Sequence, residues 1–145
     1  MNKNADIKQR RGSLQLTKKV NYAVILLTEL AFATEAMSIK DIAELKLLSF
    51  SFLQRVARDL VRVEYLVATR GKYGGYRLNV DANELTLLDV IECVDGPILM
   101  MPCLQVDDRV ACTRVIDCNI KANLNKMNGE IRDYLRMFTI ADLVK

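Results

Sequence analysis

Between Lys18 and about Thr34, apolar residues recur at intervals of three and four: Val20, Ala23, Val24, Leu27, Leu30 and Ala31. Thr17 stands in front of them as a candidate N-cap, so the pattern predicts an amphipathic helix. A second, shorter helix is predicted over about Ile39–Leu45. Ser38 opens it, with Asp41 in the place a capping box gives to Glu or Gln. The third helix covers FSFLQRVARDLVR, with Ser49 and Ser51 as candidate caps. Leu53, Val56, Ala57 and Leu60 make its buried stripe and leave Gln54, Arg55, Arg58 and Arg62 on other faces. Two short helices joined by a tight turn, the second basic and exposed, form the helix-turn-helix pattern.

The periodicity then changes to that of strands. YLVATR, which ends in Arg70, and YRLNV flank a glycine-rich tip, Gly71 to Gly75, that also carries Lys72 and Tyr73. Three helices followed by such a hairpin predict a winged helix-turn-helix. The glycines allow positive φ and close approach to another molecule, and the basic residues suit DNA backbone or a minor groove. An ordinary type I′ hairpin with solvated charges is the plainer alternative. Thr86 and Asp89 resemble a capping box opening LLDVIECVD, which Gly96 and Pro97 end. Residues 98–118 read as irregular. From about Asn119 to Phe138 the chain is helical again, with Ile120, Leu124, Met127, Ile131, Leu135 and Phe138 as a coiled-coil-like seam. In so small a chain this seam is core or, as favoured here, a dimer interface. The resulting class is mainly α with a small β-hairpin.

Charge sharpens this picture. Residues 1–80 hold 14 Lys and Arg against 7 Asp and Glu, whereas residues 81–145 hold 7 against 11. A basic first half fits a polyanion-binding module. Residues 1–13 are expected to be a disordered basic arm. The chain has no histidine, which excludes His-based catalysis and His metal ligands. GKYGG lacks the order of a P-loop, and no nucleophile motif is present, so an enzyme is not expected. No apolar run reaches the length of a membrane span, and MNKNADIKQRRGS lacks the apolar core of a secretory signal. A reducing cytoplasm is therefore expected.

Three of the four cysteines, Cys103, Cys112 and Cys118, lie in the irregular segment as C-x8-C-x5-C. They could converge on zinc or an iron–sulfur cluster, or remain three free thiols. The spacing lacks the C-x2-C pair of a zinc ribbon. Cys93, at a helical position, reads as a small buried hydrophobe.

LTKKVNYAVILLTELA, SIKDIAE, LSFSFLQRVARDL, LVATRGKYGGYRL, LTLLDVIECVDG and FTIADLV together resemble one family, over about residues 14–145. It is the IscR/NsrR/RirA type of winged-helix transcription regulator: the iron–sulfur cluster regulator, the nitric-oxide-sensing repressor and the rhizobial iron regulator. The resemblance implies a winged helix-turn-helix domain over 14–95, a cluster loop over 96–118, and a dimerisation helix with a C-terminal close over 119–145. It implies a homodimer on a palindromic DNA operator. It also implies an iron–sulfur cluster on Cys103, Cys112 and Cys118, sensing iron, nitric oxide or redox state. Ser49, Ser51, Phe52, Gln54 and Arg55 are expected at base edges and phosphates. Lys18, Lys19 and Arg58 are expected on phosphates, and Arg70, Lys72 and Tyr73 in or beside the minor groove.

The chain departs from the family in five places. The first cysteine spacing is longer. The histidine ligand of the iron–sulfur cluster regulator is missing. Asn21 stands where some relatives donate a carboxylate to the partner's cluster. Gln54 replaces a frequent Glu, and the usual Gly before the wing is lost in VEYLV. The fourth ligand is therefore open, among Asp107, Asp108, Asp117, a small thiol or water. An open site favours 4Fe-4S over 2Fe-2S. The alternatives are a cluster-free regulator of the same family, sensing thiol oxidation or a protein partner, and a zinc-holding protein-binding adaptor.

Overall fold

The structure is a computed structural model and describes residues 15–104 and 118–144. The expected basic arm, Cys112, Asp107, Asp108 and Asp117 lie outside the described residues.

Helix α1 (Lys18–Phe32) starts as expected, with the Thr17 hydroxyl accepting the Val20 N–H at 3.2 Å. It ends two residues before the expected Thr34 because the chain must turn so that Met37 can pair with the hairpin. Its buried arc is wider than one stripe. Tyr22 and Leu26 join Val20, Ala23, Leu27 and Leu30, whereas Val24 and Ala31 are half-buried. The helix is central and packs on elements from both sides.

Helix α2 (Ile39–Leu45) is capped by Ser38, whose hydroxyl accepts the Asp41 N–H at 3.0 Å. Seven residues are too few to hold a helix in water, so Ile39, Ile42 and Ala43 anchor it in the core. The turn after it is tied down by Lys46, 2.6 Å from Glu29 of α1, and by Leu48 N–H to the Ala43 carbonyl. Helix α3 (Phe50–Arg62) buries the expected Leu53, Val56, Ala57 and Leu60; Leu53, Val56 and Leu60 each contribute about 1.5–3 kcal/mol.

Strands β1 (Leu66–Thr69) and β2 (Gly75–Leu78) pair antiparallel, from Leu66 opposite Leu78 to Thr69 opposite Gly75. The connection spans residues 70–74, longer than a two-residue type I′ turn. The closest approach at Gly75 is intramolecular. A Cβ there would lie 2.5 Å from the Met37 carbonyl oxygen, because Met37 and Tyr76 exchange backbone hydrogen bonds of 3.0 and 2.8 Å. The missing glycine before the wing also has a structural mark: Glu64 takes a left-handed φ of 62°.

Helix α4 (Leu87–Asp95) opens on a complete capping box between Thr86 and Asp89 and ends at Gly96, φ 86°. A 3-10 turn over Pro102–Leu104 follows, and then α5 (Lys121–Arg136). Asn128 is the only buried residue of α5. Leu135 turns toward the core cluster, and Tyr134 is 61% exposed. The outer apolar stripe is thus Ile120, Leu124, Met127, Ile131, Tyr134 and Phe138, in which Tyr134 replaces Leu135. Beyond α5 the chain returns to the first half. Leu87 N–H reaches the Phe138 carbonyl, Ile140 N–H the Leu85 carbonyl, and the Ile140 side chain is fully buried.

Candidate nucleic-acid interface and cysteine segment

Helix α3 shows its stripe to the core and its charge to water. At 100° per residue, Ser51, Arg55, Arg58 and Arg62 project opposite Leu53, Ala57 and Leu60. Ser51, Arg55 and Arg58 are exposed, and Gln54 is half-buried on the flank. Arg55 and Arg58 have no ion-pair partner among the described residues, so their positive charge is uncompensated there.

Phe52 lies between α1 and α3. Its ring meets Tyr22 edge-on at 4.8 Å between centroids. The Lys18 ammonium stands 4.9 Å from the Phe52 ring and 5.3 Å from the Tyr22 ring, and the Arg55 guanidinium 5.2 Å from Phe52. Half-buried in this way, Phe52 orders two cations of the outer face through ring contacts. The Tyr22 hydroxyl accepts the Ser49 N–H at 3.1 Å, which fixes the entry to α3. Ser49 occupies the N-cap position but makes no side-chain cap bond. Its hydroxyl and that of Ser51 are 3.3 Å apart.

Lys19 points the other way. Its ammonium is 2.8 Å from Asp59 and donates to the Val94 carbonyl at 2.6 Å, so it fastens α1 to α3 and α4. The hydrogen bond from the Lys19 ammonium to Asp59 holds the Asp59 carboxyl below the usual aspartate range, with a smaller contribution from Arg62. At the wing, Arg70, Lys72 and Tyr73 are all exposed, and the Lys72 ammonium lies 5.6 Å from the Tyr73 ring.

Cys103 sits on the 3-10 turn and Cys118 just before α5; both are half-buried free thiols. Among the described residues no three metal-ligating side chains gather. Cys93 packs against the core, and burial, then the nearby Asp59, pushes its thiol pKa up. A polar clasp holds the start of the cysteine segment. Asn128 accepts the Met100 N–H at 2.9 Å and donates to the Ile98 carbonyl at 3.1 Å. Arg132 grips Glu92 of α4 with both guanidinium nitrogens, and Glu92 also accepts the Ile98 N–H. One visible signal was Asn128 itself, a polar residue between Leu124 and Ile131 on the apolar side of a helix. Tyr22, one position outside the expected stripe, left no such mark.

The family described as "Rrf2: Iron-dependent Transcriptional regulator" matches residues 16–145. Among curated proteins, Protein aau3 of Rhizobium meliloti is 35% identical over 133 residues, 91% of this chain and 86% of its own. The HTH-type transcriptional regulator NsrR of Oceanobacillus iheyensis is 28% identical, over 91% and 90%. Among solved structures, CymR, the global cysteine regulator of B. subtilis, superposes with a TM-score of 0.70 at 25% identity, covering 90% of this chain and 96% of its own.

Proposed function

The chain belongs to the Rrf2 family of transcriptional regulators, and from that premise we propose a homodimeric DNA-binding regulator whose operator affinity is set by an iron–sulfur cluster. The observation that carries the DNA reading is the uncompensated cationic face of α3, extended by Lys18 over the Phe52 ring, in a chain whose wing also exposes Arg70 and Lys72. In this reading α3 enters a major groove. Ser49, Ser51, Gln54 and Arg55 meet base edges and phosphates. Lys18 and Arg58 neutralise phosphates, and Phe52 holds Lys18 and Arg55 in place. Lys19 contributes less there, because Asp59 and Val94 already share its ammonium. Arg70, Lys72 and Tyr73 lie in or beside the minor groove.

The outer stripe of α5 supports the dimer. Ile120, Met127 and Tyr134 stand in water at coiled-coil spacing, an arrangement that a second copy would cover. Two recognition helices would then address a palindromic site about 34 Å apart. Such a regulator works in the cytoplasm, and no helix among the described residues is long and apolar enough to cross a membrane.

Cys103, Cys112 and Cys118 are the residues that would hold the cluster, 4Fe-4S before 2Fe-2S. Their donor chemistry suits it: Cys103 and Cys118 are free, half-buried thiols at two ends of one segment. When bound, the cluster supplies iron that iron supply, nitric oxide or oxidants can add or remove. Asn128, Arg132 and Glu92 join the segment to both α4 and α5, so a rearrangement there reaches the DNA-binding half.

The test is iron and acid-labile sulfide per chain in anaerobically purified protein, with operator titrations before and after cluster removal. About four of each support 4Fe-4S and about two support 2Fe-2S; affinity must change when they are lost. DNA binding without either element, even after reconstitution, leaves a cluster-free regulator sensing thiol oxidation or a partner. With Lys18 and Arg58 on phosphates and Arg70 and Lys72 beside the phosphates that flank the minor groove, four cations per protomer give a salt slope of about −7 for the dimer. Lys72→Ala should lower that slope by about two and weaken all sequences alike, whereas Gln54→Ala should alter sequence preference.

A further inference from the structure

The helix-turn-helix turn carries an apolar surface that the core does not use. Leu47 is 93% exposed, and Phe50, the first residue of α3, is 47% exposed. With Lys40, Ala43, Glu44 and Leu48 they line an open depression of about 520 Å3. Leu47 also adopts a left-handed φ of 54°, a conformation that strains a residue with a Cβ. A leucine strained into water gains nothing from its side chain there. The arrangement is consistent with a surface that is covered when the protein works.

Position selects the occupant. Phe50 lies between Ser49 and Ser51, at the end of α3 whose first residues reach base edges in a helix-turn-helix. The major groove presents one apolar group, the thymine C5-methyl, and phenylalanine is a suitable partner for it. Resting on the DNA reading above, we propose that Phe50, with Leu47 beside it, is a specificity-determining contact that reads thymine methyl groups in each half-site. Lys40, exposed at the rim, lies 4.0 Å from the Glu44 carboxylate, an exposed pair that an adjacent phosphate would have to share. The surface thus adds an apolar element of sequence preference to the hydrogen-bonding residues of α3.

The experiment uses the full chain and the tightest duplex selected from a randomised 30-base-pair library. Each half-site thymine is replaced in turn by deoxyuridine, which removes only the methyl. Wild type should lose about fourfold in affinity at each contacted thymine, the worth of one buried carbon. Phe50→Ser should bind the thymine and deoxyuridine duplexes equally at those positions with its salt slope unchanged. Leu47→Gly relieves the left-handed strain and so keeps the fold, and should show a reduced methyl penalty at a neighbouring position. The proposal is overturned if a fully deoxyuridine duplex binds wild type within twofold, if selected half-sites lack thymine, or if Phe50→Ser retains the penalty. Loss of a protein–protein contact in Phe50→Ser, with methyl penalties intact, assigns the patch to a protein partner and also overturns it. If no duplex is enriched, the DNA reading itself fails before any methyl comparison is reached.

Discussion

Replacing Gly75 with alanine tests how the wing is built. An ideal Cβ at Gly75 lies 2.5 Å from the Met37 carbonyl oxygen, 2.6 Å from its carbon and 3.0 Å from the Ser38 nitrogen. All three are backbone atoms, so no side chain can swing aside. Ordinary contact needs about 3.5 Å, and the strand and the Met37 segment must part by about 1 Å. The two Met37–Tyr76 hydrogen bonds, 3.0 and 2.8 Å, then stretch beyond hydrogen-bond range. Each contributes about 1 kcal/mol net, and the φ of 156° adds strain for a residue with a Cβ. The expected loss is about 2–4 kcal/mol, a large share of a typical 5–15 kcal/mol. Because Ser38 caps α2, the damage reaches the helix-turn-helix as well. Gly71→Ala is the control: its Cβ meets nothing within 4 Å, so only its φ of 118° costs, about 1–2 kcal/mol. Urea unfolding followed by circular dichroism should place the Gly75→Ala midpoint about 1–2 M lower. Hydrogen exchange should show the Met37 and Tyr76 amides losing protection ahead of α1. A Gly75→Ala protein within about 0.5 kcal/mol of wild type, with both amides still protected, would refute this account of the wing.

Three further outcomes follow from the packing. Ile140→Ala should destabilise the chain by about 2–5 kcal/mol in the same urea assay, since Ile140 is fully buried although it lies in the last turn of chain. Asp59 titrates lower in the folded protein because of its hydrogen bond to Lys19. Its contribution is complete above about pH 4 and is lost as pH falls through the lowered native value. Melting temperatures measured from pH 6 to 2 should therefore fall less steeply for Asp59→Asn than for wild type. Glu64→Gly should raise stability by about 0.5–1 kcal/mol, because relief of the left-handed φ exceeds the added entropy of the unfolded chain. The carbonyl of residue 64 that accepts from Asn79 remains in that variant, and a lower urea midpoint would contradict the reading.

What the residue order determined by itself is what depends on neighbours within one helical turn. Thr17, Ser38 and the Thr86–Asp89 box mark helix starts because a cap joins residues two or three apart. The Leu53–Val56–Ala57–Leu60 stripe shows in the spacing because burial of one helix face imposes a 3.6-residue period. The two strands, the exposed wing residues and the outward arginines of α3 follow from the same local rules.

Tertiary structure decided the rest, through contacts whose partners are distant in sequence. Tyr22 and Ser49 are 27 residues apart, Met100 and Asn128 are 28, and Lys19 and Val94 are 75. No local period records such pairs. Lys18 and Lys19 are adjacent lysines, yet one rests over the Tyr22 and Phe52 rings while the other is drawn to Asp59, because a helix turns successive residues 100° apart. The same rotation sends Leu135 to the core and Tyr134 to water, which periodicity over so weakly buried a helix could not separate. The close approach at Gly75 belongs to this second group too. The glycine was legible, but its partner, the Met37 backbone, was set only by how α1, α2 and the hairpin pack together.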